Sequence, residues 1–357
     1  MTQNAVCRHA LSPVYSTDFV IRSRTIVQRS WTHVHLKCTV VLMSRQHAEA
    51  ILFGLAIGDA LGYPVEFLDL PAIKSTYGPR GITELPEPAL FSDDTQMALA
   101  LAEGILDAGL DANLDAIMEA VGERFISWSH RQSDPSYSRA PGNTCMAGIA
   151  NYEKTRNWRT SGLVQSKGCG SVMRVAPVGY LYQFDLERMI AVAEASGIIT
   201  HAHPAAIAAT NVGAYAIKLA LEGTPPDGII AQVQHLPPAQ NDEFLRVLHR
   251  IGHALGWTNT ADALYHIGTG WTGDEAITMA LYCAAQRPES YADTIRLGAN
   301  LKTGDSDSVA CIAGGIQAAR LGLDAIPSEW RARIEDADYL RDLAARMADE
   351  RRRVYEN

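Results

Sequence analysis

Two short stretches of the chain crowd carboxylates and hydroxyls directly before apolar segments. One runs from Ser92 to Gln96, with the letters SDDTQ, and the other from Thr303 to Ser308, with the letters TGDSDS. Adjacent like charges repel, which raises the question of what holds them together. The start of a helix favours one short polar residue as a cap, whereas each stretch has four such residues in a row.

The oxygen-rich composition of the two stretches indicates a site for hard divalent cations. Carboxylate and hydroxyl oxygens, without Cys or His, are the ligands that Mg²⁺ and Mn²⁺ prefer. If the two helix starts face each other, they suit a pair of cations roughly 3.5 to 4 Å apart, as in two-metal hydrolases. Spacing alone leaves capping open as the other interpretation, and we favour metal binding.

Most of the remaining sequence has helical periodicity, and strict alternation of apolar and polar residues is rare. Helical patterns start at residue 44 and recur at residues 92–105, 114–128, 186–195, 205–221, 244–255, 275–283, 291–299 and 309–321. Long polar connections are predicted at residues 69–91 and 129–143, and loops of this length tend to carry function. The sequence therefore predicts an all-α fold.

Composition and charge limit the class of protein. With 47% hydrophobic and 20% charged residues, the chain is typical of a globular protein. No linker or charge block interrupts it after residue 43, so we predict one domain over residues 44–357. A net charge of -9 without a Lys/Arg stripe argues against nucleic acid or an anionic membrane as partner. An anionic small substrate stays compatible if cations or helix N-termini supply positive charge.

The cysteines and the N-terminal segment bear on location. The six cysteines have no CxxC spacing, and apolar runs such as 51–57 are broken well short of a bilayer span, so we expect a reducing, cytoplasmic location.

Residues 1–42 hold five lysines and arginines against the single acid Asp18, a bias typical of a transit peptide. Alternatively, Met43 is the true start and the earlier residues are an over-extended reading frame. We favour the latter and expect residues 1–43 to be an extension, disordered or untranslated, that adds little function.

Four ordered motifs resemble those of the ADP-ribosylglycohydrolase family. They are GLAIGDALGYPVEF at residues 54–67, SDDTQM at 92–97, GCGSVMRVAPVG at 168–179 and TGDSDSVACIAGGIQAARLG at 303–322. The likeness runs from about residue 48 to the region of residue 330, and it does not cover the residues before Met43. It implies a compact, single-domain helical bundle with a central cleft that holds two Mg²⁺ or Mn²⁺ ions.

The resemblance also implies a ligand set for the cations. In the family a Ser/Thr-Asp-Asp triplet pairs with a C-terminal Asp-x-Asp-Ser/Thr motif. The matching residues here are Ser92, Asp93, Asp94, Asp305, Asp307 and Ser308. Ser308 stands where relatives often have Thr, which keeps the hydroxyl, and Thr303 stands where many have Gly, outside the ligand set.

Catalytic carboxylates follow from the same resemblance. Glu66 corresponds to a mobile glutamate at the mouth of the family's metal site, although a surface carboxylate after a helix is the other interpretation. We expect Glu66, Asp94 or Asp305 to remove a proton from the water that attacks the anomeric carbon of ribose. Asp59 stands in an apolar run, where a cap or a partner to a buried donor is commoner, so we expect it to be structural.

Two glycine-containing segments, APGNTC at 140–145 and SKGCGS at 166–171, suit a diphosphate because small residues let backbone N–H groups approach phosphate oxygens. Each alone indicates only a turn. The resemblance implies that the substrate contacts are Gly142, Asn143, Gly168, Gly170, Ser171 and His201. Lys167 either offsets phosphate charge or is solvated, and Trp128, Tyr137 and Trp271 are expected in the core rather than against a ligand.

The implied reaction is hydrolysis of the N- or O-glycosidic bond at the anomeric carbon of ADP-ribose attached to a protein side chain or a small molecule. One alternative is a catalytically inactive ADP-ribose-binding or structural member of the family. Another is metal-dependent hydrolysis of a different ADP-ribose derivative or of a phosphoester. The complete ligand set favours an enzyme. The acceptor linkage depends on loop shape, which a sequence pattern does not specify.

Overall fold

The computed structural model of the chain describes residues 44–356, and the predicted extension at residues 1–43 lies outside them. The described residues form α-helices, short 3-10 turns and isolated β-bridges, with no strand among them. The all-α prediction is therefore confirmed.

Helix α1 spans residues 44–62. The helices that follow are α2 (Leu70–Tyr77), α3 (Asp93–Ala108), α4 (Leu114–Arg131), α5 (Asn143–Thr155), α6 (Trp158–Ser161), α7 (Ala176–Leu181), α8 (Leu186–Ile198), α9 (Pro204–Leu221), α10 (Pro226–Val233), α11 (Asp242–Leu248), α12 (Arg250–Ala254), α13 (Thr260–Ile267), α14 (Gly273–Gln286), α15 (Tyr291–Ala299), α16 (Ser306–Leu321), α17 (Ser328–Arg333) and α18 (Ala337–Tyr355). The 3-10 turns are Tyr63–Val65, Cys169–Ser171, Pro237–Ala239 and Leu323–Ala325.

Helix α1 packs directly against α16 through glycines spaced four residues apart in its sequence. A Cβ atom on Gly58 would lie 2.2 Å from the carbonyl oxygen of Ala310. One on Gly62 would lie 2.5 Å from Cα of Asp307. Because only glycine permits such a close approach, the backbones of the two helices touch. The contact fixes the acidic start of α16 against the end of α1.

The same helix also holds the acidic start of α3. Asp59, on α1, is fully buried and accepts hydrogen bonds from the backbone N–H groups of Ser92 and Thr95, at 2.9 and 3.0 Å. It accepts a third from the Thr95 hydroxyl at 2.6 Å. Helix α1 therefore contacts both acidic helix starts, which lie far apart in the sequence.

One connection differs from its prediction. Residues 69–91 are predicted as a loop, but they include helix α2. The Asp69 side chain caps this helix by accepting from the N–H of Ala72, and a proline in the first turn supports the start. Gly78, with a φ of 94°, ends it. Only Ile73 of this helix is buried, so its apolar periodicity is too weak to be recognised in the sequence.

Two helical segments, Ser44–Val65 and Pro204–Leu221, are long and apolar enough to cross a bilayer by length and composition. This finding differs from the expectation that every apolar run is too short. Their most apolar stretches are 83% and 72% buried inside the fold. We attribute their apolar character to core packing, since fully buried helices are hydrophobic all round.

Candidate active site

The two acidic helix starts lie together in one cavity of about 330 Å³. Its wall includes Glu66, Asp93, Asp94, Asp305, Asp307 and Ser308. Oxygen atoms of Glu66, Asp305 and Asp307 all lie within 4.8 Å of one another. A larger and more open depression of about 840 Å³, around Trp257, contains no buried carboxylate. We therefore take the smaller cavity as the candidate active site.

Burial raises the pKa of each carboxylate in this cluster. Loss of solvation, reinforced by the charge of neighbouring carboxylates, raises the pKa of Glu66 to about 8. Loss of solvation likewise raises the pKa of Asp93 to about 8, against the opposing hydrogen bond from Gly142. The pKa values of Asp94 and Asp307 are also raised well above the usual range by burial and by their neighbours. Such a cluster is stable near neutral pH only when protons or cations neutralise its charge.

Two buried carboxylate oxygens of this cavity have no hydrogen-bond partner within the described part of the chain. They are Oε2 of Glu66 and Oδ2 of Asp94. An unpaired buried polar atom costs about 1–3 kcal/mol, which a bound cation would offset. With the hydroxyl of Ser308, the carboxylates form an all-oxygen donor set. The residues present therefore fit a site for divalent cations.

Two of the predicted ligands also cap their helices. The Ser92 hydroxyl accepts a hydrogen bond from the N–H of Asp94 at 3.2 Å, and Ser92 lies behind the cavity wall rather than in it. Asp305 accepts from the N–H of Ser308 at 3.3 Å while its side chain lines the cavity. Capping and a metal-binding role are therefore compatible in Asp305, and Ser92 is engaged as a cap.

The glycine-containing segments form another part of the wall. The residues predicted to contact substrate that line the cavity are Gly142, Asn143, Gly168, Gly170 and His201. The N–H of Gly142 donates to Oδ2 of Asp93 at 3.1 Å, which joins the start of α5 to the acidic cluster. The hydroxyls of Thr144 and Ser166 lie 2.9 Å apart and connect the two segments.

Two other residues of these segments lie away from the cavity. Ser171 is buried, and its hydroxyl accepts a hydrogen bond from Thr210 at 2.8 Å. Lys167 donates to Glu243 at 2.7 Å and to Asp274 at 3.3 Å. Lys167 is therefore neither free in solvent nor directed at a phosphate in the cavity, because two carboxylates already neutralise it.

His201 is held as a neutral ring by its neighbours. Burial, followed by the charge of Arg174, lowers the pKa of His201 to about 3. Arg174 donates to the Thr200 hydroxyl oxygen at 2.8 Å, and the same oxygen lies 2.8 Å from Nδ1 of His201. The Thr200 hydroxyl has two acceptors in reach, Nδ1 of His201 at 2.8 Å and the carbonyl oxygen of Gly197 at 3.5 Å. We assign its proton to the nearer acceptor, which places the ring proton on Nε2. His201 then offers a hydrogen-bond donor at Nε2.

Arg174 also fixes the second glycine-containing segment. It is fully buried and donates to the carbonyl oxygen of Gly170 at 2.7 Å. A Cβ atom on Gly170 would lie 2.6 Å from Sγ of Cys145 and 2.8 Å from Cε1 of His201. The segment therefore passes close to the His201 ring only because a glycine stands at this position.

Nothing in the residue pattern predicts Cys169 as part of the site, yet it lines the cavity. Its Sγ lies 2.9 Å from Oδ2 of Asp305. Burial and the nearby carboxylates raise the pKa of this thiol well above its usual range. The signal in the sequence is its position between the glycines of GCGS, a segment predicted to lie at the site on other grounds.

An aromatic pair also borders the cavity. The rings of Phe67 and Trp271 stack, with centroids 5.9 Å apart and planes inclined by 20°. Phe67 is 73% exposed and Trp271 is 43% exposed. The core prediction is therefore wrong for Trp271, which stands in the loop before α14, whereas it is confirmed for Trp128, which is 3% exposed.

Comparisons with known proteins agree with the motifs. The family model for ADP-ribosylglycohydrolase matches residues 42–357. An uncharacterized protein of Archaeoglobus fulgidus is 30% identical over 311 residues, which cover 85% of this chain and 96% of that protein. The ADP-ribosylarginine hydrolase Tri1 of Serratia proteamaculans is 27% identical over 307 residues, covering 85% and 79%. A solved structure, described as an ADP-ribosylglycohydrolase-related protein complex, has a TM-score of 0.69 at 25% identity and covers 86% of this chain and 99% of its own.

Proposed function

The chain belongs to the ADP-ribosylglycohydrolase family, and on that premise we propose that it hydrolyses the bond between the anomeric carbon of ADP-ribose and an acceptor. The substrate is an ADP-ribosylated protein or a small ADP-ribose conjugate, and one product is ADP-ribose. The observation that carries the proposal is the meeting of two acidic helix starts in a single cavity beside two glycine-containing segments.

Two Mg²⁺ or Mn²⁺ ions are the proposed cofactors. The proposed ligands are Asp93, Asp94, Asp305, Asp307 and Ser308, with Ser92 joining them only if its hydroxyl turns away from the N–H of Asp94. When bound, such ions polarise ribose hydroxyls and orient the attacking water. The unpartnered oxygens of Glu66 and Asp94 support this assignment.

A carboxylate of the cluster accepts the proton of the attacking water. Of the three candidates, Asp305 is the least suited, because one of its oxygens caps α16 and the other contacts Cys169. Glu66 and Asp94 each keep an oxygen without a partner among residues 44–356. A base with a pKa near the working pH is the most effective, and burial moves both carboxyl groups in that direction.

The diphosphate of ADP-ribose would lie against the start of α5 and the turn at Gly168–Gly170. Helix α5 has thirteen residues, and Gly142 before it provides no side-chain cap. The N–H groups of its first turn are therefore free of intrahelical partners and suit an anion. His201, neutral and protonated at Nε2, would donate a hydrogen bond to the ligand.

The acceptor side of the cavity is assigned to Phe67 and Trp271. Both rings are exposed, both line the cavity, and Phe67 directly follows Glu66. An aromatic face attracts a planar guanidinium, so an arginine acceptor fits this edge better than a serine acceptor. The name of the Serratia relative, an ADP-ribosylarginine hydrolase, supports the same choice.

The proposed location is the cytoplasm. Cys145, Cys169, Cys283 and Cys311 are free thiols, as is usual in a reducing compartment, while Cys7 and Cys38 lie outside the described residues. The net charge of -9 supports a partner other than nucleic acid.

A substrate panel with variants tests the proposal. ADP-ribosyl-arginine, ADP-ribosyl-serine and O-acetyl-ADP-ribose are incubated with the protein, with Mg²⁺ or with EDTA, and released ADP-ribose is measured. We expect release with Mg²⁺, none with EDTA, and none from the double variant Asp93→Asn, Asp305→Asn. Asp242→Asn, in an exposed first turn of α11, is the control that keeps activity. Full release by the double variant contradicts the proposal, and ADP-ribose binding without turnover favours an inactive family member.

A further inference from the structure

Three residues that line the cavity carry sulfur, Cys145, Cys169 and Met173, and Cys169 makes the shortest contacts with the proposed cation ligands. Sγ of Cys169 is 2.9 Å from Oδ2 of Asp305 and 3.5 Å from Oγ of Ser308. The other hydrogen-bond-like contacts of sulfur atoms in the described chain are longer, at 3.7 to 3.8 Å. The thiol therefore approaches two of the proposed cation ligands more closely than an ordinary sulfur contact does here.

The thiol donates a hydrogen bond to Asp305 and accepts one from Ser308, and the two separations also suit atoms that share one cation. A divalent cation lies roughly 2.1 Å from an oxygen ligand and roughly 2.3 Å from a thiolate, so an oxygen and a sulfur at right angles are about 3.1 Å apart. The two distances from Cys169, 2.9 and 3.5 Å, lie on either side of this value. Asp305 and Ser308 would need only small shifts to bind a cation together with the sulfur.

An independent observation also indicates a ligand at this position. Asp94 is 3% exposed, its Oδ2 has no partner in the described part of the chain, and it lines the same cavity as Cys169. The sulfur is held in place by its backbone, because the N–H of Cys169 donates to the carbonyl oxygen of Trp271 at 3.2 Å. Glycines on both sides leave the thiol as the side chain of this turn nearest the carboxylates.

We propose that Cys169 is a cation ligand that acts through sulfur, alongside Asp305 and Ser308. The proposal rests on the metal centre of the proposed function. In binding a cation the thiol would give up its proton to solvent, with no oxidation or reduction. Thiolate is a soft ligand, so the centre binds Co²⁺, Zn²⁺ and Cd²⁺ more readily than an all-oxygen centre does. Cys169 thus adds tolerance of thiophilic metals to a site built for Mg²⁺ or Mn²⁺.

Cobalt spectroscopy on the full chain tests this assignment. Co²⁺ is added to the metal-free protein, and its binding stoichiometry and absorption spectrum are recorded. We expect a thiolate-to-cobalt charge-transfer band in the near ultraviolet, absent from Cys169→Ser and Cys169→Ala. Cys145→Ser is the matched control, since Cys145 lines the same cavity but its Sγ contacts Arg174 at 3.7 Å, and it should keep the band. Subtracting the absorption spectrum of each variant from that of the wild type removes any contribution from Cys7 and Cys38.

A second readout is metal preference. Loss of the sulfur ligand should weaken Cd²⁺ binding by roughly tenfold or more and change Mg²⁺ binding by less than about threefold. Cobalt bound in full without the band, or a band that survives in Cys169→Ser with native circular dichroism, overturns the inference and leaves the proposed hydrolase intact. Absence of any cobalt binding to the wild type contradicts both the inference and the metal centre.

Discussion

The carboxylate of Asp59 accepts a hydrogen bond of 2.6 Å from the hydroxyl of Thr95, in the first turn of the acidic helix α3. Three residues further along α1, Gly62 lies directly against Asp307 of α16. Helix α1 thereby sets the separation between the two acidic clusters. Asp59 does not line the cavity, so its role is to position other residues.

Replacing Asp59 should therefore lower both stability and cation affinity. In Asp59→Asn, an amide NH₂ group replaces one carboxylate oxygen and faces a backbone N–H group that donates to this oxygen in the wild type. Two donors then face each other, and a buried donor is left unpaired at a cost of about 1–3 kcal/mol. Urea unfolding measures the loss, and calorimetry with Mn²⁺ measures the affinity. Asp69→Asn, at the exposed cap of α2, is the control and should cost less than about 0.5 kcal/mol because Asn caps as well as Asp. Equal losses at both positions contradict the role given to Asp59.

The stability of the metal-free protein should fall as pH rises. Burial raises the pKa of Glu66 from 4.5 to about 8 and that of Asp93 from 3.8 to about 8. The folded state therefore keeps protons that the unfolded state releases above about pH 4, and the stability they provide is lost as pH rises through about 8. We expect the melting temperature in EDTA to decrease between about pH 5 and about pH 8, and Mg²⁺ to restore it most at the higher pH.

The lowered pKa values of His47 and His201 make stability rise with pH up to about 6.5, but the five cluster carboxylates with raised pKa values outnumber them. Surface carboxylates do not oppose the expected fall in melting temperature. Hydrogen bonds from Arg353 and Arg159 lower the pKa values of Asp111 and Asp115, respectively. These two carboxylates therefore titrate below the pH range of the measurement. A melting temperature in EDTA that rises steadily between about pH 5 and about pH 8 would contradict a raised pKa in the cluster.

Gly170 and Gly142 should differ in their tolerance of alanine. A Cβ atom on Gly170 meets Cys145 and His201 at 2.6 and 2.8 Å, whereas the nearest atom to one on Gly142 is 3.8 Å away. Overpacking at Gly170 costs about 1–3 kcal/mol and displaces the segment, so Gly170→Ala should weaken ADP-ribose binding tenfold or more. Gly142→Ala should stay within about threefold of the wild type. Calorimetry with ADP-ribose makes the comparison, and similar affinities of the two variants would argue against this binding surface.

The aromatic pair should act on the acceptor and not on ADP-ribose. Removing a cation–π contact worth about 1–2 kcal/mol, in Trp271→Ala or Phe67→Ala, should raise KM for ADP-ribosyl-arginine roughly fivefold to thirtyfold. Inhibition by free ADP-ribose should be unchanged. Trp257→Ala is the matched control, because Trp257 is 42% exposed in a different depression. An equal change in KM from the control would remove the acceptor role.

The sequence identifies the residue types at the site but not the residues that contact them in the fold. Asp93, Asp94 and Asp305 are recognisable because carboxylates crowd at helix starts, a local property. The contact between Cys169 and Asp305 joins residues 136 positions apart, and it depends on how helices pack. A cysteine with no second cysteine at a characteristic spacing, such as CxxC, does not predict such a contact.

The same distinction explains the other differences. Trp271 is expected in the core because apolar rings are usually buried. It stands instead in a loop at the cavity, where a β-bridge between Gly168 and Thr272 holds the loop in place. Lys167 has a loop sequence, and only the fold brings Glu243 and Asp274 to it. Helical periodicity was sufficient for the all-α architecture because most helices bury one face in the core.

We propose that the two acidic helix starts share divalent cations. Mn²⁺ titration of the metal-free wild type, of Asp94→Asn on α3, of Asp307→Asn on α16 and of the double variant tests it most directly. If the starts share cations, each single change weakens binding of all the Mn²⁺, and the loss in the double variant is smaller than the sum of the single losses. If each start binds its own cation, Asp94→Asn leaves the affinity at the Asp307 side unchanged and the losses add, which would contradict the account.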